Sequence, residues 1–174
     1  MLDLSYPIGK FAMPATCSAA QRAQWIDTIT ATPGQLRRAV QGLTDRQLDT
    51  PYRPGGWTVR QVTHHVPDSH INAYVRTKLA LTEAVPVIKP YDEERWALLA
   101  DTKVVPIATT LTLLECVHAR WVEVLRAASE ADFAREYVHP VSGKHTLAAM
   151  VGMYAWHGAH HVAHVTRLRE REGW

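Results

Sequence analysis

Apolar residues in this chain recur at helical spacing over four long stretches and almost nowhere alternate as a strand would require. Ser18-Ala19-Ala20-Gln21 has the spacing of a capping box, which predicts a helix from there to about Gly42. Trp25, Ile26, Ile29, Leu36, Ala39 and Val40 form its apolar face, and Pro33 should kink or interrupt it. The segment 1–17, with Pro7, Gly9 and Pro14, reads as an extended arm. After the turn signal Thr50-Pro51-Tyr52-Arg53-Pro54-Gly55-Gly56, a second helix should start at Trp57 or Thr58 and reach about Thr82, bent at Pro67. A third is expected over 108–129, with Leu111, Leu114, His118, Trp121 and Leu125 in one stripe. A fourth is expected over 146–171. Residues 85–106 hold Pro86, Pro90 and Pro106 and read as a long crossover with a short amphipathic piece over 93–99. The pattern predicts an all-α chain: a four-helix bundle, one domain over 1–174, with a long crossover between helices two and three. Helix order and handedness stay open.

Composition narrows the function classes. A formal charge of +2 is too small to argue for nucleic acid, and Arg167, Arg169 and Arg171 alternate with Glu170 and Glu172 as on a solvated helix end. Cys17 and Cys116 are too few for a disulfide framework. No apolar run is long enough to span a bilayer, so no membrane partner is expected. The opening MLDLSYPIGKF lacks the basic and apolar regions of a signal peptide, which makes the cytoplasm the expected compartment.

Chemistry concentrates in histidine. The chain has 10, and His157, His160, His161 and His164 crowd into about two turns of the fourth helix. Residues one turn apart share a face, so His157/His161 and His160/His164 are each a pair that could hold one divalent ion. Leu147, Met150, Tyr154, Val165 and Leu168 mark the apolar direction of that helix. With His157 at zero on a helical wheel, this direction lies at roughly 50°, His161 at about 40°, and His160 and His164 at about 300° and 340°. His157 and His161 therefore point inward, while His160 and His164 fall toward the rim, behind the ligands or in solvent. On the second helix Val59, Val62, Val66 and Ala73 mark the apolar side. His65 borders it, His64 points nearly opposite, and His70 borders it beyond Pro67, where a straight wheel is unreliable. His65 is chosen as the third ligand, with His70 as the spare.

A lone interior histidine is by default a hydrogen-bonded core residue. The case for a metal is the inward pair joined to an inward upstream partner. His65, His157 and His161 plus water is the ligand count of an open, catalytic-type centre. One divalent ion per subunit is expected, zinc or nickel, although copper and iron also accept imidazole. Imidazole ligates only when neutral, so affinity should fall below about pH 6. An otherwise apolar core should keep the metal-free chain folded over much of that range.

Other residues have plainer readings beside functional ones. Asp68, one turn after His65, could orient that imidazole or be a surface charge beside Pro67. His118 could be a fourth ligand or general base, but reads first as a core histidine. His139 and His145 lie in loop sequence and should be exposed. Trp57, Trp121 and Trp156 could wall a pocket or simply fill the core. Neither cysteine has a basic neighbourhood that would make it a nucleophile. No catalytic residue and no cofactor-binding residue beyond the metal ligands can be assigned.

Motifs along nearly the whole chain carry a family resemblance. They are Tyr6-Pro7-Ile8-Gly9, Leu48-Asp49-Thr50-Pro51-Tyr52-Arg53, Gly55-Gly56-Trp57-Thr58-Val59-Arg60-Gln61-Val62 leading into His64-His65, and Asp68-Ser69-His70. Arg76, Lys78 and Leu79, Pro90-Tyr91-Asp92-Glu93, His118 and Arg120-Trp121, and Trp156-His157 through His161 with Ala163-His164 complete the set. The chain resembles the DinB-like superfamily, most closely its YfiT-like members, to which metal-dependent hydrolysis is ascribed. The resemblance implies a four-helix bundle, often a homodimer, with a metal triad at His65, His157 and His161. It implies a hydrolase in which the metal activates water against a small-molecule substrate. Some relatives look instead like S-transferases that join a low-molecular-weight thiol, such as bacillithiol, to an electrophile. In that case Arg53, Arg60 or Arg120 could hold the thiol's carboxylates. A non-catalytic, metal-binding stress-response module is the third alternative.

Overall fold

The computed structural model describes residues 3–14 and 16–174. Its four long helices are α1 (Ala19–Val40), α3 (Val59–Thr82), α6 (Ile107–Ala127) and α8 (Leu147–Glu172). Each begins where local chemistry satisfies its first free N–H groups or fixes its entry. Ser18 accepts from Gln21 N, Thr58 and Gln61 form a reciprocal capping box, and Thr146 accepts from Ala149 N, while Pro106 precedes α6. α8 ends at Gly173, whose φ of 71° is the left-handed conformation that glycine adopts without cost. Pro33 and Pro67 lie inside unbroken helices, so the expected interruption of α1 does not occur. Of the arm expected over 1–17, Met1, Leu2 and Ala15 lie outside the described residues.

α1 packs on α6 and α8, and α3 packs on the same two, so the first and second long helices sit across a diagonal. The chain order around the bundle is therefore not that of a simple up-and-down hairpin series. Two apolar clusters fill the interior. Ile29, Trp121, Leu125, Leu147 and Met150 anchor one, and Leu36, Val59, Val62, Leu114 and Val165 anchor the other.

Shorter pieces depart from the sequence expectations. The short amphipathic piece expected over 93–99 is the one-turn helix α4 (Glu93–Trp96), and a second short helix, α5 (Ala100–Val104), follows it in the crossover. One-turn helices α2 (Asp45–Leu48) and α7 (Glu130–Phe133) each carry a capping box, Thr44 with Gln47 and Ser129 with Asp132. The all-helical expectation also omits an antiparallel hairpin, β1 (Glu136–His139) with β2 (Gly143–Thr146). The crossover docks on this hairpin: Ile88 N donates to Val138 O at 2.9 Å and Val138 N to Pro86 O at 2.9 Å. Residues 86–91 and the hairpin thus sit together at one side of the bundle. Among the described residues no helix is long and apolar enough to cross a membrane.

Candidate metal centre

His65 comes from α3, and His157 and His161 come from successive turns of α8, the helix beside it. One ring nitrogen from each lies within 4.8 Å of the other two. Nε2 of His65 and Nε2 of His157 are 3.2 Å apart. Two nitrogens each 2.0–2.1 Å from a tetrahedral ion would be separated by roughly 3.4 Å, so the spacing suits a shared ion. Burial holds the His65 imidazole near a pKa of about 4. Burial, and then the neighbouring imidazoles, hold His157 and His161 well below the usual histidine value. All three rings are therefore neutral at pH 7, with lone pairs free to ligate. The donor set fits a divalent ion of the imidazole-binding kind.

The three histidines open onto a cleft of about 700 Å³. Trp57 and Trp156 wall it, together with Tyr52, Tyr91 and the arm residues Ser5 and Tyr6. Trp57 is held by its Nε1–H donating to Glu94 at 3.1 Å, and Trp156 by donation to Gly9 O at 3.0 Å. Arg53 and Arg76 also line the cleft, and neither has a carboxylate partner among the described residues. Arg76 donates to Tyr154 Oη at 3.2 Å and to Lys89 O at 3.1 Å, tying α3 to α8 and to the crossover. The Nε of each arginine is buried without a partner.

The histidines outside the triad sort clearly. His64 points away from the cleft and pairs with the Thr110 hydroxyl at 2.7 Å. His70 is fully buried and faces His157, with its Nε2 at 3.1 Å from His157 Nδ1. His118 is a core residue, as its stripe position suggests, with Nε2 at 2.8 Å from His70 Nδ1 and Nδ1 at 2.7 Å from Ile29 O. His160 and His164 correct the rim placement, for both are buried. His160 stacks on Trp156, and His164 stacks on Tyr52 at 3.9 Å between centroids. Nδ1 of His164 lies 3.4 Å from Nδ1 of His161. The wheel misses this because it assumes one covered face, whereas the arm and the Tyr52 turn cover a second face of α8.

His139 and His145 are half-buried strand residues rather than exposed loop residues, and His139 lines the cleft. Asp68 makes no hydrogen bond to an imidazole among the described residues, and burial followed by the charge of Asp101 lifts its pKa to about 6. Arg60 is bound to Asp49 and Asp45 at 2.7 and 2.9 Å, and Arg120 is exposed over Tyr74, so only Arg53 of the three arginines considered lines the cleft. Trp121 belongs to the core. Arg76, which carries the resemblance but has no role assigned from the sequence, is a second cleft cation and lies on α3 three turns beyond His65.

Comparison with known proteins fits this arrangement. The family model described as the DinB superfamily matches residues 28–165. A protein of Bacillus mycoides, provisionally named a metal-dependent hydrolase, is 52% identical over 174 residues, covering 100% of both chains. A Bacillus cereus protein of the same provisional name is 51% identical over the same full length. The solved structure of YfiT from Bacillus subtilis, described as a probable metal-dependent hydrolase with an unusual four-helix bundle topology, superposes with a TM-score of 0.95. It is 47% identical and the match covers 98% of each chain. A second four-helix bundle protein, TT2238, shares the fold at 20% identity with a TM-score of 0.56, over 88% of this chain and 99% of that one.

Proposed function

Since the chain belongs to the DinB superfamily, we propose that it is a hydrolase whose divalent ion, zinc or nickel, is held by His65, His157 and His161. The observation that carries this reading is the convergence of three neutral imidazole nitrogens within 4.8 Å at the floor of an open cleft. Such an ion would supply a Lewis acid and lower the pKa of a ligated water from far above the physiological range to about 7. The chain's own part is to bind and orient. Trp57 and Trp156 give the cleft flat apolar walls, and Arg53 and Arg76 add cationic groups to its lining. A small molecule with an anionic group and a hydrolysable bond is the substrate this lining suits. The provisional names of the full-length relatives support the same reaction class. The test is turnover of a panel of esters, amides and lactones by zinc- and nickel-loaded protein. Metal-dependent hydrolysis that disappears in His65→Ala supports the reading, and no metal-dependent turnover across the panel sinks it.

Arg53 and Arg76, which have no carboxylate partner among the described residues, favour one second reading. A low-molecular-weight thiol bearing carboxylates would place its sulfur at the three histidines and its acid groups on the arginines, in an S-transferase. Conjugation of 1-chloro-2,4-dinitrobenzene with bacillithiol, mycothiol or glutathione separates the two reactions.

A further inference from the structure

The triad leaves most of the buried histidines unexplained. His70, His118 and His164 are 0%, 2% and 4% exposed, and among the described residues none has a carboxylate as hydrogen-bond partner. Burying a polar ring without partners costs free energy, so the partners of each nitrogen should account for its position. For His70 and His118 they do. Their four ring nitrogens face His157 Nδ1, each other, and the carbonyl oxygen of Ile29.

A carbonyl oxygen can only accept, and this fixes the direction of the whole chain of contacts. His118 Nδ1–H donates to Ile29 O at 2.7 Å. Neutral His118 then has a lone pair on Nε2, which accepts Nδ1–H of His70 at 2.8 Å. His70 in turn has its lone pair on Nε2, which accepts Nδ1–H of His157 at 3.1 Å. His157 is left with a lone pair on Nε2, the nitrogen that faces His65. The relay passes from α8 to α3 to α6 and ends on α1, so it draws on all four long helices.

A shorter relay stands behind His161 and also ends on a carbonyl. His164 Nε2 lies 3.3 Å from Ser5 O in the N-terminal arm. Donation there leaves a lone pair on His164 Nδ1, which accepts Nδ1–H of His161 at 3.4 Å. The lone pair of His161 then also falls on Nε2.

We infer that His70, His118 and His164 are positioning residues, forming uncharged imidazole relays that terminate on Ile29 O and Ser5 O and hold His157 and His161 in the Nδ1–H tautomer. The inference rests on the reading that these two rings ligate a metal through Nε2. A ligating imidazole usually gives its second N–H to a carboxylate, a carbonyl or water. Here other imidazoles carry that bond inward to backbone carbonyls. The backing adds no negative charge to the site, so the ligand set stays neutral as a whole.

The test reads tautomers directly in metal-free protein labelled with ¹⁵N-histidine, at pH 8, from long-range ¹H–¹⁵N correlations. His157, His161, His70 and His118 should show Nδ1–H and His164 should show Nε2–H. His118→Gln keeps an oxygen to accept from His70 and an amide N–H to donate to Ile29 O, so His157 should keep its tautomer. His118→Phe removes both, so His157 should become a mixture and affinity for zinc or nickel should fall by about 10–100-fold. If His118→Phe does not fold, the wild-type tautomers decide alone. His157 found as Nε2–H in the wild type overturns the relay, as does a folded His118→Phe with His157 and metal affinity unchanged. The tautomers are read without an ion. A chain that shows them yet binds neither zinc nor nickel upholds the relay and sinks the metal reading instead.

Discussion

His157 is held at both ring nitrogens, with Nε2 facing His65 at 3.2 Å and Nδ1 facing His70 at 3.1 Å. Its replacement removes one of the three proposed ligands and also strands the buried ring behind it. His157→Ala and His161→Ala should each lose most bound metal, more than about 100-fold in affinity, since losing even an outer partner costs 10–100-fold. His164→Ala should cost less, because it removes only the group behind His161. His160→Ala should stay near wild type, since His160 Nδ1 has no partner among the described residues and its ring packs on Trp156. Metal content after dialysis, measured for all four, checks the order; equal loss from all four would contradict it. At this scale the triad was legible in the sequence. A pair one turn apart and one inward upstream histidine specify a face, and a face is what periodicity reports. The burial of His160 and His164 was not legible, because it depends on the arm folding back over α8. The relay was not legible either, since it joins His157, His70, His118 and Ile29 from four helices whose packing order no periodicity encodes.

The elements succeed or fail by how much local chemistry each one carries. α1, α3 and α8 open at caps visible as Ser18, Thr58 and Thr146, and their apolar faces run for several turns, so both existence and extent could be read. β1 and β2 have four residues each, too few for alternation to show, and their pairing is stabilised by docking on Pro86 and Ile88. Close approach of α1 and α8 was equally invisible. A Cβ at Gly158 would lie 2.7 Å from both Cγ2 and Oγ1 of Thr32, and one at Gly152 would lie 2.9 Å from the Trp25 ring. Gly158→Ala should therefore destabilise the protein, because overpacking costs about 1–3 kcal/mol while alanine returns only about 1 kcal/mol of helix propensity. Gly158 adjoins His157, so α8 should also shift at the ligand and weaken metal binding. Adding Thr32→Ala, which removes the obstructing atoms, should restore part of both. Urea unfolding and metal titration of the single and double variants measure this, and a Gly158→Ala protein as stable as wild type would show that α1 yields freely.

Across the whole molecule the buried histidines set the response to acid. The expectation of a metal-free chain that stays folded as pH falls assumed a core that is otherwise apolar. Instead His70, His118, His160, His161 and His164 are buried in it beside the Leu and Val clusters. Burial holds His65, His118, His160 and His164 near a pKa of about 4 and His70, His157 and His161 well below the usual value. Each takes up its proton more readily when unfolded, where its pKa is about 6.5, so native stability falls as pH drops below that value. For His118 alone, a native pKa of about 4 against 6.5 amounts to roughly 3 kcal/mol lost by the time pH reaches the lower figure. The metal-free protein should thus melt at similar temperatures at pH 8 and 7 and at a much lower one at pH 5. Metal acts on the same groups in the opposite sense, because it binds the neutral rings of the folded state. At 100 times its dissociation constant it should add about 2.7 kcal/mol at pH 8, or roughly 5–10 °C for a chain of this size. Protonation of the ligands competes with it only as pH nears the depressed folded-state value of about 4 for His65, so the loss expected below about pH 6 moves down and the increment should persist at pH 5. Melting curves at pH 8, 7 and 5, with and without zinc, read both effects together. A zinc-induced shift already lost at pH 5 would mean that the three rings titrate near the free imidazole value rather than below it, and a metal-free melting temperature unchanged at pH 5 would mean that the buried rings are charged in the native state.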